Sequence, residues 1–183
     1  MAKAGDILEH PVTGERIIFR KTAEDTNGEL LQADLMVQPH GFVAAEHIHP
    51  LQEEHFEIVT GNLVFRINGT EREAHAGETI TVPPGVPHAW WNAGDHEGHV
   101  LVGLRPALRT EEFFETFFGL AQAGKVDKKT GLPNLLVLAL MMREFEQEIY
   151  LARPPVAVQK VLFSVLGSIG RLRGYQGRYT YPR

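Results

Sequence analysis

Residues 41–61 read Gly41-Phe-Val-Ala-Ala-Glu-His-Ile-His-Pro-Leu-Gln-Glu-Glu-His-Phe-Glu-Ile-Val-Thr-Gly61, and this stretch decides the fold. Alternate residues of an extended strand project from the same face, so His47 and His49 direct two imidazoles to one point. After the bend at Pro50, Glu54 can bring a carboxylate to that point. The stretch therefore predicts a cluster of metal-ligating side chains carried on short β-strands.

A second stretch, residues 77–92, supplies a third imidazole. It reads Gly77-Glu-Thr-Ile-Thr-Val-Pro-Pro-Gly-Val-Pro-His-Ala-Trp-Trp-Asn92, and its prolines and glycine predict a turn that brings His88 to the start of a strand. Neutral imidazoles and one carboxylate suit a divalent transition metal, and four such ligands leave positions open for water, oxygen or substrate. A His-x-His pair alone is equally explained by exposed or core histidines, so both stretches together carry the prediction.

Short predicted strands surround these two stretches. The clearest hairpin joins Leu63–Ile67 to Thr70–Arg72 through Asn68-Gly69, because Asn-Gly accepts the positive φ values of a type I′ turn. The predicted strands cover residues 16–21, 30–37, 63–67, 70–72, 78–82, 88–92 and 99–104. Many short strands separated by glycine and proline favour a sandwich or barrel over a parallel α/β sheet.

After Pro106 the hydrophobic period becomes that of helices. Thr110 is predicted to cap a first helix that ends at Gly124, a second helix is predicted from Leu135 to Leu151, and a third follows Pro155. Apolar residues of the third helix recur at spacings of three and four, at Val158, Val161, Leu162, Val165, Leu166, Ile169 and Leu172. We expect these faces to be buried on the barrel or on a neighbouring subunit, with an amphipathic membrane anchor as the alternative.

The spacing of the two stretches resembles the two-part motif of the cupin superfamily. It runs Gly, five residues, His-x-His, four residues, Glu, six residues, Gly, and then Gly, five residues, Pro-x-Gly, two residues, His, three residues, Asn. The resemblance covers about residues 30–105. It implies a mainly β fold, the jelly-roll-like double-stranded β-helix, as a barrel over residues 1–108. Residues 109–183 would then be a helical extension packed on the barrel or on a partner subunit.

The same resemblance implies a ligand set and a metal. Matched by position, the ligands are His47, His49, Glu54 and His88. The six-residue interval to Gly61 selects Glu54 over its neighbour Glu53. The metals associated with this superfamily are iron, manganese, nickel, zinc, cobalt and copper, and the sequence does not choose among these divalent transition metals.

Strand alternation also suggests a substrate pocket. Phe56 and Ile58 share the face of Glu54 and should point into the cavity. Trp90 shares the face of His88 and either lines the cavity or packs in the core. Asn92 shares that face too and either supports a ligand or makes a hydrogen bond at the strand end. A pocket of these four residues favours an apolar or aromatic small molecule.

Three functions are compatible with this pattern. The leading hypothesis is an oxygenase or dioxygenase in which Glu54 accepts the substrate proton. The segment Thr110-Glu-Glu-Phe-Phe-Glu-Thr-Phe-Phe118 is similar to the helix after the barrel in bacterial quercetinase-like dioxygenases. The alternatives are a metal-dependent sugar or keto-acid isomerase, which calls for a more polar cavity, and a non-catalytic binding or sensing module.

Composition and charge narrow the classes further. A chain of 183 residues with 43% hydrophobic and 22% charged residues suits one globular domain with an appendage, and the lack of cysteine excludes disulfides and thiolate chemistry. The first residues hold no apolar stretch of signal-peptide length, so we expect a soluble cytoplasmic protein. A net charge of −5 argues against nucleic-acid binding.

The charge is unevenly distributed along the chain. Six basic and no acidic residues lie from Arg153 to Arg183, whereas the preceding 152 residues carry a net charge of −11. We expect the basic tail to pack on the acidic body or on a partner subunit, with contact to an anionic membrane surface as the alternative. An exposed apolar set of helices would also predict a homodimer.

Overall fold

The computed structural model describes residues 2–181, so Met1, Pro182 and Arg183, the last residue of the basic tail, lie outside the described residues. Within that range the elements follow in the order β1 Ile7–His10, β2 Glu15–Lys21, β3 Leu31–Val37, β4 His47–Ile48, β5 Glu53–Thr60, β6 Asn62–Ile67, β7 Thr70–His75, β8 Thr79–Val82, β9 His88–Asn92, β10 Gly98–Arg105, α1 Thr110–Gln122, α2 Leu135–Glu144, β11 Tyr150–Leu151 and α3 Val156–Leu172.

Two antiparallel sheets form the barrel. One has the strand order β1-β2-β3-β10-β5-β8, and the other has the order β11-β4-β9-β6-β7. Alternation along β5 buries Glu54, Phe56 and Ile58 and exposes the residues between them. The predicted fold class, a mainly β barrel with a C-terminal helical extension, is confirmed.

The predicted hairpin is confirmed in its details. Strands β6 and β7 pair so that Ile67 lies opposite Thr70, and Asn68 and Gly69 between them have φ values of 49° and 79°. Both values lie in the left-handed region that a type I′ turn requires. The turn fixes the register of β6, which in turn pairs with β9 and sets the position of His88 opposite Ile67.

Large apolar side chains fill the barrel away from its polar end. The rings of Phe56 and Phe65 meet edge to face with their centroids 4.9 Å apart, and both are almost completely buried. Other large, fully buried side chains of this core are Ile17, Phe19, Leu31, Ile58, Leu63, Leu104 and Phe118. Burial of each such side chain stabilises the fold by about 1.5–3 kcal/mol.

Helix α1 begins at Thr110, but the predicted role of Thr110 as its cap is wrong. Arg109 occupies the N-cap position and makes no side-chain capping bond. The Thr110 hydroxyl instead donates to the carbonyl of Ala107, 2.8 Å away. The helix ends at Gln122, and Gly124 follows with a φ of 66°, in agreement with its predicted role as the stop.

Helix α2 ends at Glu144, so the predicted helix from Leu135 to Leu151 is too long. Asn134 caps its start, accepting hydrogen bonds from the backbone N–H groups of Leu136 and Val137. Tyr150 and Leu151 form β11, which pairs with β4 and places Leu151 opposite His47. The backbone groups of Tyr150 and Leu151 form their hydrogen bonds with β4, a strand distant in sequence, instead of continuing the helix.

Helix α3 has the predicted apolar stripe, but the stripe is not buried on the barrel. Six of its residues are exposed, Val158, Val161, Leu162, Val165, Ile169 and Leu172, and Leu166 is partly buried. The opposite face is buried at Gln159, Phe163, Gly167 and Gly170, and the two glycines lie against α2. A Cβ at Gly170 would lie 3.0 Å from a Leu140 side-chain carbon, so glycine allows the close approach of the two helices.

The tail after α3 folds back onto the acidic body. Arg178 forms ion pairs with Glu112 at 3.1 Å and with Glu144 at 2.6 Å. The Tyr181 hydroxyl accepts a hydrogen bond from the backbone N–H of Glu9. Within residues 2–181, no helix combines the length and the apolar character that crossing a bilayer requires.

Candidate metal centre

Four buried side chains converge at one end of the barrel. His47 lies on β4, Glu54 on β5 and His88 on β9, and His49 directly follows β4. Each offers one ligand atom, and these atoms all lie within 4.8 Å of one another. The structure thus brings together all four predicted ligands. Glu53, the competing carboxylate, lies on the exposed face of β5.

Backbone carbonyls orient all three imidazoles. The Nδ1 atoms of His47 and His88 lie 2.9 Å and 3.0 Å from the carbonyl oxygens of Ala45 and Val86. A carbonyl oxygen only accepts, so each Nδ1 must carry the proton and donate it. The unprotonated Nε2 of a neutral ring is then left for a metal, which is the arrangement usual for histidine ligands.

The carbonyl that orients His49 comes from the helical extension. Its Nδ1 lies 2.6 Å from the carbonyl oxygen of Glu148, in the loop between α2 and β11. The side chain of Glu148 accepts a hydrogen bond from the backbone N–H of Arg109, at the start of α1. With the β11–β4 pairing, this contact makes the extension a direct support of the metal-ligating strand.

The Glu54 carboxylate lies close to two of the imidazoles. Its Oε2 is 2.7 Å from Nε2 of His88 and 3.5 Å from Nε2 of His49. A neutral Nε2 and a carboxylate oxygen are both acceptors, so the 2.7 Å contact requires a cation between them, either a proton or a metal ion. Three imidazoles and one carboxylate therefore fit a divalent transition metal in donor type and number.

The charges of the cluster are strongly coupled. Burial would raise the pKa of Glu54, but interactions with His49 and His88 outweigh it and hold this pKa far below its usual range. Burial likewise opposes charge on His88, yet the hydrogen bond to Glu54 raises its pKa. Burial, and then repulsion from His88 and His49, lower the pKa of His47 well below its ordinary value. His47 is therefore a neutral ligand at physiological pH.

An apolar cavity opens next to these ligands. Trp90, Val102 and Leu35 line it from the barrel, and Met141 and Met142 line it from α2. Helix α1 contributes four aromatic rings, Phe113, Phe114, Phe117 and Phe118. The rings of Phe113 and Phe117 are stacked, with an interplanar angle of 5°. A flat apolar molecule therefore meets aromatic surface on one side and the His/Glu cluster at the end.

Comparison with known proteins agrees with this architecture. Residues 33–103 match the family model described as Cupin domain, which includes β4, β5 and β9 and all four ligand residues. The barrel of this chain is a cupin domain. A predicted oxalate decarboxylase from Thermotoga maritima matches with a TM-score of 0.50 and 19% identity, over 58% of this chain and 98% of that one. That likeness shows a shared fold.

Two curated relatives are similar in sequence to the cupin chain. An oxidoreductase of Arthrobotrys oligospora is 27% identical over 181 residues, which cover 91% of this chain and 68% of that protein. A tetracenomycin polyketide synthase protein, TcmJ of Streptomyces glaucescens, is 30% identical over 66 residues, or 36% of this chain and 44% of that protein. The first match is too long to be confined to the barrel, so it includes part of the helical extension.

The predicted pocket residues of the cupin barrel separate into two groups. Trp90 lines the cavity. Phe56 and Ile58 point into the barrel but pack deeper in its core, because successive inward residues of β5 lie progressively farther from Glu54. Asn92 donates to the carbonyls of Val37, Gln38 and His96, with donor–acceptor distances of 2.9, 3.2 and 2.8 Å, so it ties strand ends together away from the cavity.

Sequence reasoning missed one ionisable cavity residue, Glu15. This buried residue lines the same cavity as His47, His49 and Glu54. The Thr13 hydroxyl donates to its carboxylate, with the oxygens 2.6 Å apart. Burial, with a smaller contribution from repulsion by Glu54, raises the pKa of Glu15 to about 7 despite that hydrogen bond. The signal in the sequence was the alternation Glu15-x-Ile17-x-Phe19, which places a carboxyl in an otherwise apolar inward row.

Proposed function

We propose that this protein is a metal-dependent oxidoreductase of the oxygenase type that acts on a small aromatic or otherwise apolar molecule. The observation that carries the proposal is the pairing of a buried three-histidine, one-glutamate cluster with an aromatic cavity. Polar ligands for a metal lie at one end of this cavity, while the surfaces that would hold a substrate are mostly apolar. The similarity of most of the chain to an oxidoreductase supports the same class.

The metal-ligating residues and the aromatic residues of the cavity have different roles in this proposal. When bound, a divalent transition metal held by His47, His49, Glu54 and His88 would supply Lewis acidity and a site for oxygen or for a chelating substrate. The aromatic rings of α1 and Trp90 bind and orient a flat substrate and exclude water. Two adjacent oxygens on the substrate, as in a catechol or flavonol, would direct its polar edge toward the ligand cluster.

The apolar lining distinguishes this proposal from sugar or keto-acid isomerisation. A sugar carries hydroxyl groups around its whole edge, and each buried hydroxyl without a hydrogen-bond partner costs about 1–3 kcal/mol. The lining residues of α1 and α2 offer aromatic rings, the thioethers of Met141 and Met142 and the aliphatic side chain of Leu138 instead. A sugar would therefore bind weakly in this cavity, which argues against a sugar isomerase.

The test is turnover by metal-reconstituted protein under oxygen. Metal-free protein is loaded separately with iron, manganese, nickel, zinc, cobalt and copper and offered a panel of flavonols and catechols. We expect oxygen consumption and oxygenated products by mass spectrometry with at least one redox-active metal, and loss of both in His49→Ala. Absence of turnover with every metal would overturn the proposal, and tight binding without reaction would favour a sensing module.

A further inference from the structure

Glu15 is the ionisable residue of the cavity wall that faces the metal ligands. It begins β2, and it precedes Ile17 and Phe19 in the inward row of that strand. A buried carboxyl among apolar side chains costs free energy, so its presence calls for a role that an apolar residue could not fill. Its place beside the same cavity as the ligand cluster suggests what that role is.

Thr13 and His10 hold the Glu15 carboxyl in position. The Thr13 hydroxyl donates to Oε2 of Glu15, and the Thr13 backbone N–H donates to Nδ1 of His10, 3.1 Å away. His10 is itself buried and packs against the rings of Phe117 and Phe118, with ring centroids 4.9 Å and 5.4 Å apart. Thr13 therefore fixes the position of the Glu15 carboxyl, and His10, packed against two aromatic rings, fixes the position of Thr13.

The surroundings of Glu15 contain few other charges. The ionisable groups that line the cavity with it are Glu54 on β5, His47 on β4 and His49 directly after β4, and His10 on β1 hydrogen-bonds to Thr13. The cavity residues from α1 and α2 are apolar. No basic side chain or histidine within residues 2–181 hydrogen-bonds to Glu15, whereas Glu54 contacts both His88 and His49.

We infer that Glu15 is the proton-transfer residue of this cavity, and that its carboxylate takes the proton of a hydroxyl on a catechol- or enediol-type ligand held at the His/Glu cluster. This inference rests on the proposed function. The ligand O–H bond breaks, the proton passes to a carboxylate oxygen of Glu15, and the electron pair stays on the ligand oxygen. The step consumes no oxidant or reductant, and it leaves Glu54 free to remain a ligand.

The inference explains why two carboxyls share one cavity. A pKa of about 7 lets Glu15 exist in both protonation states near neutral pH, as a group that both accepts and returns a proton must. Glu54 is held in its ionised form by its histidine neighbours and is suited to a cation. Pairs of carboxyls whose environments push their pKa values apart commonly divide acid–base and charge-stabilising roles in this way.

The test counts protons on binding of 4-nitrocatechol to zinc-loaded protein. Zinc has no redox chemistry and no colour of its own, so the visible spectrum reports the ionisation state of the bound probe. Isothermal titration calorimetry at pH 8, in two buffers of different ionisation enthalpy, gives the protons released per bound probe. The wild type should release up to one proton fewer than Glu15→Gln, because Glu15 retains that proton.

The controls separate this inference from the proposed function. Glu57→Gln makes the same chemical change on the exposed face of β5 and should match the wild type. Equal proton release by wild type and Glu15→Gln, with the probe bound, would overturn the role of Glu15 and leave the proposed function standing. Failure of the zinc-loaded wild type to bind the probe, together with absence of turnover of the flavonol and catechol panel with every metal, would overturn both.

A second measurement tests the role of Glu15 in the wild-type protein alone, without the Glu15→Gln variant. Carboxyl carbon NMR of the zinc-loaded wild type at pH 8 should show the Glu15 resonance shift to its protonated position when 4-nitrocatechol is added. An unchanged resonance with the probe bound would overturn the inference even if Glu15→Gln fails to fold or loses zinc.

The outer face of α3 carries a separate inference. Its exposed stripe, Val158, Val161, Leu162, Val165, Ile169 and Leu172, lies opposite the face that packs on α2. The flanking charges within the described residues 153–181 are all basic, at Arg153, Lys160, Arg171, Arg173 and Arg178. Of these, Arg178 pairs with acidic residues of the body.

These charges decide between two occupants of the stripe. If two copies of α3 paired symmetrically, the basic residues of both copies would be brought together, while the acidic residues shown beside them, Glu112 and Glu144, already pair with Arg178. The other exposed large apolar residues of the described chain, Ile7, Leu51, Val59, Leu135 and Tyr175, are scattered over several elements and form no second stripe to receive it. We propose that this face lies on an anionic membrane surface, with the apolar residues in the acyl boundary and the cations at the headgroups.

Vesicle sedimentation tests this second proposal. The full chain should bind vesicles of phosphatidylcholine that contain about one third phosphatidylserine, and bind pure phosphatidylcholine at least about tenfold more weakly, because the basic residues are attracted only to the anionic surface. Val161→Asp/Val165→Asp should abolish binding. The matched control, Thr79→Asp/Thr81→Asp, adds the same charge on the exposed face of β8, away from the stripe, and should retain more than half of it.

Two outcomes would overturn the membrane proposal. One is sedimentation that is absent or independent of anionic lipid. The other is a dimer of the wild type, seen by light scattering without lipid, that Val161→Asp/Val165→Asp converts to a monomer. The second outcome would assign the stripe to a second copy of the chain.

Discussion

The cavity has two walls, and a buried carboxyl on each has its pKa shifted in the opposite direction. On the wall formed by β4, β5 and β9, Glu54 is buried among three imidazoles, each oriented by a backbone carbonyl. On the other wall, formed by β2 and the helices, Glu15 is buried among apolar side chains with one hydroxyl as its partner. The pKa falls at Glu54 and rises at Glu15. Partners, and not burial alone, determine the charge of a buried carboxyl.

The comparison also separates metal binding from stability. On the polar wall, the four ligand side chains are arranged to accept a cation, while Phe56, Ile58 and Trp90 of the same strands belong to the apolar core. The apolar wall continues into the main core, in which Phe118 and Leu104 are almost fully buried. Removing a group from the polar wall should therefore change what the protein binds, whereas removing one from the apolar wall should change whether it folds.

The largest expected effect is on metal content. His49→Ala removes one of four ligands and should lower metal affinity by more than about 100-fold, since changes to residues that merely support ligands already cost 10–100-fold. Circular dichroism should show the fold intact, because apolar strands and not the ion hold the barrel together. Elemental analysis after metal loading and desalting is the measurement.

His55→Ala is the matched control for that prediction. His55 lies on the exposed face of the same strand as Glu54, where its Nδ1 contacts the Thr81 hydroxyl. This variant should retain full metal content. Full metal occupancy in His49→Ala, or unfolding of the metal-free wild type, would contradict the conclusion that the polar wall binds metal and the apolar wall stabilises the fold.

The apolar wall should show the reverse behaviour. Phe118→Ala empties a fully buried site next to His10 and should lower the free energy of unfolding by about 3–5 kcal/mol. Leu172→Ala, at a side chain that is 89% exposed, should change it by less than about 0.5 kcal/mol. Urea denaturation of the metal-free proteins gives both values. A loss below about 1 kcal/mol for Phe118→Ala would show that the wall does not carry the fold.

The polar wall was predictable from sequence because most of its geometry is local. The spacing of His47, His49 and Glu54 depends on strand alternation and one proline bend, and the position of His88 depends on one turn. The hairpin at Asn68-Gly69 is equally local and was predicted correctly. The meeting of His88 with the other three ligands is not local, because it depends on the pairing of β4 with β9, and the resemblance to the cupin motif supplied that part of the prediction.

The apolar wall depends on contacts between distant segments, so the sequence alone did not predict it. Glu15 lines the cavity only because β2, β3, β10 and β5 assemble into one sheet, and the carbonyl of Glu148 reaches His49 across 99 residues of chain. The same applies to α3. Its period predicted an amphipathic helix, but Gly167 and Gly170 on the opposite face decided which side meets the body.

The next largest effect is a pH dependence that originates at Glu15. Its pKa is raised from 4.5 to about 7 in the folded protein, so between these values the folded state keeps a proton that the unfolded chain has lost. Stability from this group is fully present below about pH 4.5 and declines as pH rises to 7, in total by about 3 kcal/mol. Glu15→Gln should remove this decline.

The measurement is the difference in unfolding free energy between wild type and Glu15→Gln, both metal-free, from pH 4.5 to pH 8. Taking the difference cancels the titration of the histidine cluster and of His10, whose pKa burial lowers to about 4. Wild type should lose stability relative to the variant as pH rises. A difference that stays constant with pH would mean that Glu15 titrates in the folded protein as it does in the unfolded chain.

The smallest effect concerns the hydroxyl behind Glu15. Thr13→Val removes the hydrogen bond that lowers the pKa of Glu15 and opposes the effect of burial, so this pKa should rise further. A hydrogen bond to a charged group contributes about 1.5 kcal/mol at the lower end of its range, which corresponds to about one pH unit in the midpoint. Carbon NMR of the carboxyl follows the titration directly. Thr79→Val, on the exposed face of β8, should leave the midpoint unchanged. A lower titration midpoint of Glu15 in Thr13→Val would mean that water reaches the carboxyl once the hydroxyl is gone. The opposite pKa shifts of Glu15 and Glu54 would then reflect access of water rather than the presence of hydrogen-bond partners.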